Sequence, residues 1–190
     1  ITCLLIATAG LWAQQTINPK FEEKIENTID NSVTTISCER LSTKMNTPNL
    51  YILDAREKNE FNVSHLKGAK WIGYNTFTTK NVEDVPKDAI VVVYCSIGYR
   101  SEKVGEQLKK AGFSKVYNLY GGIFEWCNRE YKVVDKEQNE YEVIDFTKKV
   151  EYGEWTTISE NNCENNRETS EVYYGKTFEQ IETCDAVQER

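Results

Sequence analysis

The chain has 190 residues, enough for one ordinary domain with length to spare. A hydrophobic content of 39% and an aromatic content of 12% suit a soluble fold with a buried core. The net charge of −7 argues against nucleic acid or an anionic membrane surface as a partner. That charge is unevenly spread: residues 151–190 hold ten acidic and three basic side chains and carry the whole imbalance.

In chain order, ITCLLIATAGLWAQQ is an apolar run ending in small and polar residues. It is too short to span a bilayer but fits a secretory signal cut at Ala13-Gln14 or Gln14-Gln15. We therefore expect a signal peptide over residues 1–14, a leader over 15–32, and a secreted or periplasmic protein; the alternative is an N-terminal core helix. Because the first residue is Ile1 and the ending at Arg190 is abrupt, the gene product is expected to extend beyond both. No other stretch is long and apolar enough to span a membrane.

If Cys3 leaves with the signal, Cys38, Cys95, Cys127, Cys163 and Cys184 remain, an odd number in an oxidising compartment. Cys95 is the expected free thiol. A Cys163–Cys184 disulfide fits the polar tail, and Cys38 with Cys127 is a second pairing that sequence leaves open.

The polar segment 16–32 reads as a leader or short helix. Val33–Ser37 is a β-branched strand, Glu39–Met45 a helix stopped by NTPN, and Leu50–Leu53 a second strand ending at Asp54. REKNEFNVSHL reads as loop and short helix, AKWIGY as a third strand, and FTTKNVEDVPKD as a loop with one helical turn. Ala89–Tyr94 is apolar enough to be buried on both faces. Ser101–Ala111 spaces Val104, Leu108 and Ala111 helically, with Gly112 as its C-cap. Lys115–Leu119 is a fifth strand, and Gly121-Gly122 turns into the short helix IFEWCN. Strands alternating with helices imply an α/β fold, a parallel sheet covered on both faces. In such sheets the working site lies beyond the carboxyl ends of the strands, where Asp54 and Cys95 both fall.

Cys95 ends the buried strand just before a helix. Helix N-terminal amides and a nest of loop N–H groups would both favour a thiolate. Gly98 permits tight curvature, Arg100 adds a cation, and Ser101 is the expected N-cap, with a hydroxyl that would also reach the sulfur. The alternative is a cysteine acting as a small buried hydrophobe. His65, the one histidine, is the only imidazole that would pair with it, and SHLKGA reads as a structural setting for it.

Four motifs in order resemble the rhodanese-like domain: ILDAREKNEF, SHLKGAKWI (with Ser64 where the family has glycine), VVYCSIGYRS and LKKAGFSKVYNLYGGIFEW. The resemblance covers about residues 33–134 and leaves 135–190 as an acidic C-terminal extension. It implies a five-stranded parallel sheet flanked by helices, and a thiosulfate-type sulfurtransferase needing no metal or other cofactor. Cys95 would carry a sulfane sulfur as a persulfide, moving it from a small-molecule donor to cyanide or a thiol. The loop Ser96, Ile97, Gly98, Tyr99 and Ser101 would cradle that sulfur beside Arg100, with Asp54 and Arg56 bracing the loop. His65 matches a structural family position. Cys127 is not a family site and is expected to be paired, buried or without special role, with a thiol that resolves a persulfide as the alternative. Related phosphatase and arsenate-handling loops are one residue longer between Cys and Arg, so the shorter ring here favours a single sulfur atom. Ile97 and Tyr99 would make the entrance apolar, which points away from free thiosulfate as donor. The alternative is a binding module without turnover, engaging a protein partner through residues 151–190.

Overall fold

The computed structural model describes residues 16–141. The signal peptide, the 135–190 extension beyond residue 141 and the Cys163–Cys184 pairing lie outside them. The first helix, α1 (Pro19–Glu26), starts where Asn18 accepts the Lys20 and Phe21 amides and Pro19 presets the first turn. Its Phe21 and Ile25, one turn apart, are fully buried. The segment expected as a leader is thus built into the core, and the fold begins ahead of the boundary drawn at residue 33. Glu102 holds it there, accepting the Asp30 and Ser32 amides at 2.8 Å each.

There follow β1 (Thr35–Ile36), α2 (Cys38–Ser42), β2 (Leu50–Asp54), α3 (Lys58–Val63) and β3 (Lys70–Trp71). A 3₁₀ turn at Thr79–Val82 leads to β4 (Ile90–Tyr94), α4 (Tyr99–Lys110), β5 (Lys115–Leu119) and α5 (Gly122–Asn128). The five strands form the expected parallel sheet, in the order β1-β5-β4-β2-β3 with β4 at its centre. The third strand is shorter than AKWIGY suggests, because the Ile72 and Gly73 amides both turn back to the Asp54 carbonyl.

Central strands alternate between two cores, as a period of two requires. Val91 and Val93 pack on one face with Val104 and Leu108 of α4. Val92 and Tyr94 pack on the other with Phe21, Leu41, Ile123 and Trp126 from α1, α2 and α5. Both cores are apolar, which is why β4 reads as one unbroken hydrophobic run. Lys110 is the last residue of α4 and Ala111 its C-cap; Gly112 follows at φ +91°, and the Gly112 and Phe113 amides close on the Lys109 and Leu108 carbonyls, so the glycine stops the helix as expected.

An antiparallel pair with no counterpart among the expected strands follows α5, β6 (Val133–Val134) with β7 (Glu140–Tyr141). Val134 also exchanges backbone hydrogen bonds with His65 at 2.9 Å, which fastens this hairpin to the loop after α3. Among the described residues no helix is long and apolar enough to cross a membrane.

Candidate active site

The register Asp54↔Tyr94 puts the ends of β2 and β4 side by side, so Asp54 and Cys95 share the carboxyl rim of the sheet. After Cys95 the chain turns sharply into α4, and α5 shapes that turn. The Ile123 amide donates to the Cys95 carbonyl at 3.0 Å and the Phe124 amide to the Ser96 carbonyl at 3.2 Å. A trans peptide points its N–H opposite to its C=O. Capturing these two carbonyls therefore turns the Ser96 and Ile97 amides away from α5. Gly122 makes the capture feasible: a Cβ there would overlap the Cys95 carbonyl. The Gly-Gly pair, legible in sequence only as a turn, lets α5 approach the loop.

Gly98 completes the curve at φ +131°, a conformation that disfavours any side chain. Its amide donates to Cys95 Sγ at 3.1 Å. Gly98, and not Ser101, is the N-cap residue of α4. Ser101 lies within the first turn because the helix starts two residues earlier than its apolar spacing suggests. Its hydroxyl does reach the sulfur, with Oγ 3.4 Å from Sγ, and it also contacts Asn118 Oδ1 at 2.7 Å.

Arg100 is drawn into a buried ion pair. Its guanidinium donates to the two Glu60 oxygens at 2.9 and 3.3 Å, and to Ser96 Oγ at 2.8 Å. Burial alone would push the Glu60 carboxyl up; Arg100, then Arg56, together with hydrogen bonds from Arg100 and the Glu57 amide, hold it below its ordinary value. Arg56 in turn donates to Asp54 at 2.7 Å and to the Ser64 carbonyl at 2.6 Å. Burial opposes the Arg56 charge, but Asp54 beside it raises its pKa nonetheless. Asp54, Arg56, Glu60 and Arg100 form a buried row of alternating charge with no net sum. The Gly98 N–H is thus a donor to the sulfur that owes nothing to the paired side chains.

The other predicted residues divide. Ile97 is 7% exposed and packs in the core with Ile29 and Tyr94, so it does not line an entrance as expected; Tyr99 is half-buried. His65 is engaged away from the thiol: ring Nδ1 is 2.9 Å from the Phe61 carbonyl and Nε2 is 3.2 Å from Gln138. Burial pushes its pKa down. Cys38 and Cys127 are both buried free thiols. Burial pushes Cys127 up to about 12 and, with Glu125, raises Cys38 as well, which leaves both protonated at neutral pH and ill suited to resolve a persulfide.

Sequence reasoning missed the partnership of Glu60 with Arg100, for which the acidic-aromatic pair in KNEF was the signal. It also missed Asn118, a polar residue buried in β5.

A family model described as a rhodanese-like domain matches residues 37–129. The tRNA uridine(34) hydroxylase of Enterobacter sp. (strain 638) is 31% identical over 99 residues, 50% of this chain and 28% of that protein. The probable adenylyltransferase/sulfurtransferase MoeZ of Mycobacterium tuberculosis is 33% identical over 81 residues, 42% of this chain and 21% of that protein. The chain thus spans less than a third of the length of these curated relatives. Among solved structures, a Bacillus halodurans protein is 20% identical over 62% of this chain and 87% of that one. Its TM-score of 0.52 marks a shared fold.

Proposed function

We propose that residues 37–129, a rhodanese-like domain, move a sulfane sulfur from a thiosulfate-like or persulfide donor to a thiol or cyanide acceptor through Cys95. In the first half-reaction the Cys95 thiolate attacks the outer sulfur of the donor. The donor S–S bond breaks, its leaving group departs with the electron pair, and Cys95 becomes a persulfide. In the second, the acceptor attacks the outer sulfur and the Cys95 thiolate leaves. The acceptor is oxidised by two electrons and the donor is reduced by two, so no external oxidant or reductant is needed.

The observation that carries this reading is the Gly98 amide on Cys95 Sγ at 3.1 Å, within a loop whose first two carbonyls are tied to α5. Donors fixed before the reaction stabilise an anionic sulfur without reorganising. Arg100 supports the loop as the partner of Ser96 and Glu60, and Asp54 with Arg56 braces the adjoining turn. Because the four side-chain charges cancel, a persulfide on a thiol carrier suits the site better than dianionic thiosulfate.

Transfer from thiosulfate and from a low-molecular-weight persulfide to cyanide is the test, with Cys95→Ser alongside. Activity in the native protein and none in Cys95→Ser is expected, with one added sulfur on Cys95 by mass spectrometry after donor exposure. Equal rates in the two proteins, or no sulfur on Cys95 with either donor, overturns the reading and favours a binding module. An aryl phosphate assay addresses phosphatase activity, for which no turnover is expected.

A further inference from the structure

Asn118 lies in β5 with no exposed surface, in contact with both the cradle and the hydroxyl beside the sulfur. Its Nδ2 is 2.9 Å from the Gly98 carbonyl and its Oδ1 is 2.7 Å from Ser101 Oγ. Elementary hydrogen-bond chemistry orients both groups. A carbonyl only accepts, so the amide NH₂ of Asn118 must face Gly98. Its carbonyl oxygen then faces Ser101, and two oxygens 2.7 Å apart require a proton between them. Asn118 has none to give from that atom, so the proton comes from Ser101. The Gly98 carbonyl, 3.0 Å from Ser101 Oγ, already accepts from Asn118 and from the Glu102 amide.

We infer that Asn118 is a positioning residue that holds the single Ser101 proton away from Cys95. Ser101 Oγ then presents a lone pair to the sulfur 3.4 Å away. It accepts from the thiol S–H and does not donate to the thiolate, so the Gly98 N–H remains the group aimed at negative sulfur. A thiolate without a hydroxyl donor is less stabilised: fewer thiolates form below the midpoint of its titration, but each one formed is a better nucleophile. The same amide, through Nδ2, fixes the residue whose N–H meets the sulfur. This inference rests on the reading of Cys95 as the reacting thiol, but its test needs no sulfur donor.

The experiment measures the pH profile of Cys95 alkylation by iodoacetamide, read at Cys95 by peptide mass spectrometry, in the full chain. Wild type, Asn118→Ala, Ser101→Ala and the double variant are compared. Glu60, Arg100, Asp54 and Arg56, the charged groups at this rim, are identical in all four. Asn118→Ala frees the hydroxyl to donate to the thiolate. Alkylation below the midpoint of the profile should therefore rise about threefold to tenfold: a hydrogen bond to a charged group raises the thiolate fraction by roughly tenfold to a hundredfold, and about half of that gain, on a logarithmic scale, is offset by the lower nucleophilicity of the more stabilised thiolate. Ser101→Ala removes an acceptor for the S–H, a weak donor, so alkylation should hold or rise up to about twofold. The double variant should match Ser101→Ala, because without the hydroxyl Asn118 has nothing to redirect.

A fall in Ser101→Ala would show that the hydroxyl donates to the thiolate in the native protein, and would overturn the inference even if Asn118→Ala did not fold. Equal effects of Asn118→Ala with and without Ser101 would also overturn it. Loss of sulfur loading with this coupling intact would count against the sulfurtransferase reading alone.

Discussion

Arg100 is 5% exposed, and Glu60, itself 6% exposed, sits against its charge. The desolvation of each ion is offset by the other and by Ser96, so the pair works as a unit. Removing one member strands the other. Glu60→Ala should cost about 3–5 kcal/mol of unfolding free energy in a denaturant titration. A loss no larger than that of an exposed substitution would show that Arg100 finds water or another partner. A bulkier change at Gly98 meets both strain and Ile29 Cγ2, which would lie 3.2 Å from the new Cβ. The site is therefore specified by residues of opposite kinds: a fully paired charge row beneath the loop, and a glycine with nothing but backbone to offer the sulfur.

Two elements read as peripheral in sequence do structural work at a distance. The helix α1 buries Phe21 at 1% exposure, so Phe21→Ala should lower stability by about 3–5 kcal/mol in thermal or chemical unfolding. A change near zero would return α1 to the status of a detachable leader. The β6–β7 hairpin closes over His65, whose ring Nδ1 faces the Phe61 carbonyl and whose Nε2 faces Gln138. Burial, the largest influence, lowers the His65 pKa; the Phe61 carbonyl, Asp54 and Asp135 oppose this and Arg56 adds to it. For a base depressed in the fold, the stabilising contribution is complete above its ordinary value of about 6.5 and is lost as pH falls through the folded value. His65 is the one histidine in the chain, so the effect is attributable. Urea midpoints at pH 7.5 and 5.5 should drop more in wild type than in His65→Gln, by no more than about 1.4 kcal/mol per pH unit. Parallel profiles in the two proteins would remove His65 from this role.

At the scale of the whole molecule, the order of elements and the parallel sheet were legible because period-two and helical spacing are local signals. The run at Val91–Tyr94 announces a strand covered on both faces, and the Cys-Gly-Arg-Ser spacing announces a loop at its carboxyl end. Those features depend on chemistry that a residue carries wherever it goes. What the residues meet across the sheet was not legible. Glu60 and Arg100 are forty positions apart, Asn118 is twenty from Gly98, and Ile123 is far in sequence from the Cys95 carbonyl it captures. Such pairings come from strand order and register, which no single segment encodes. By itself the sequence determined the layered architecture, the place of Cys95 on the sheet rim and the need for glycine in its loop. Only the tertiary structure decided that Arg100 is neutralised beneath the loop, that Ile97 faces the core, and that α5 and Asn118 orient the groups around the sulfur. The physical reason is that periodicity is fixed within a few neighbouring residues, whereas the direction of a buried charge or a hydroxyl proton is fixed by whichever distant partner the fold brings into contact.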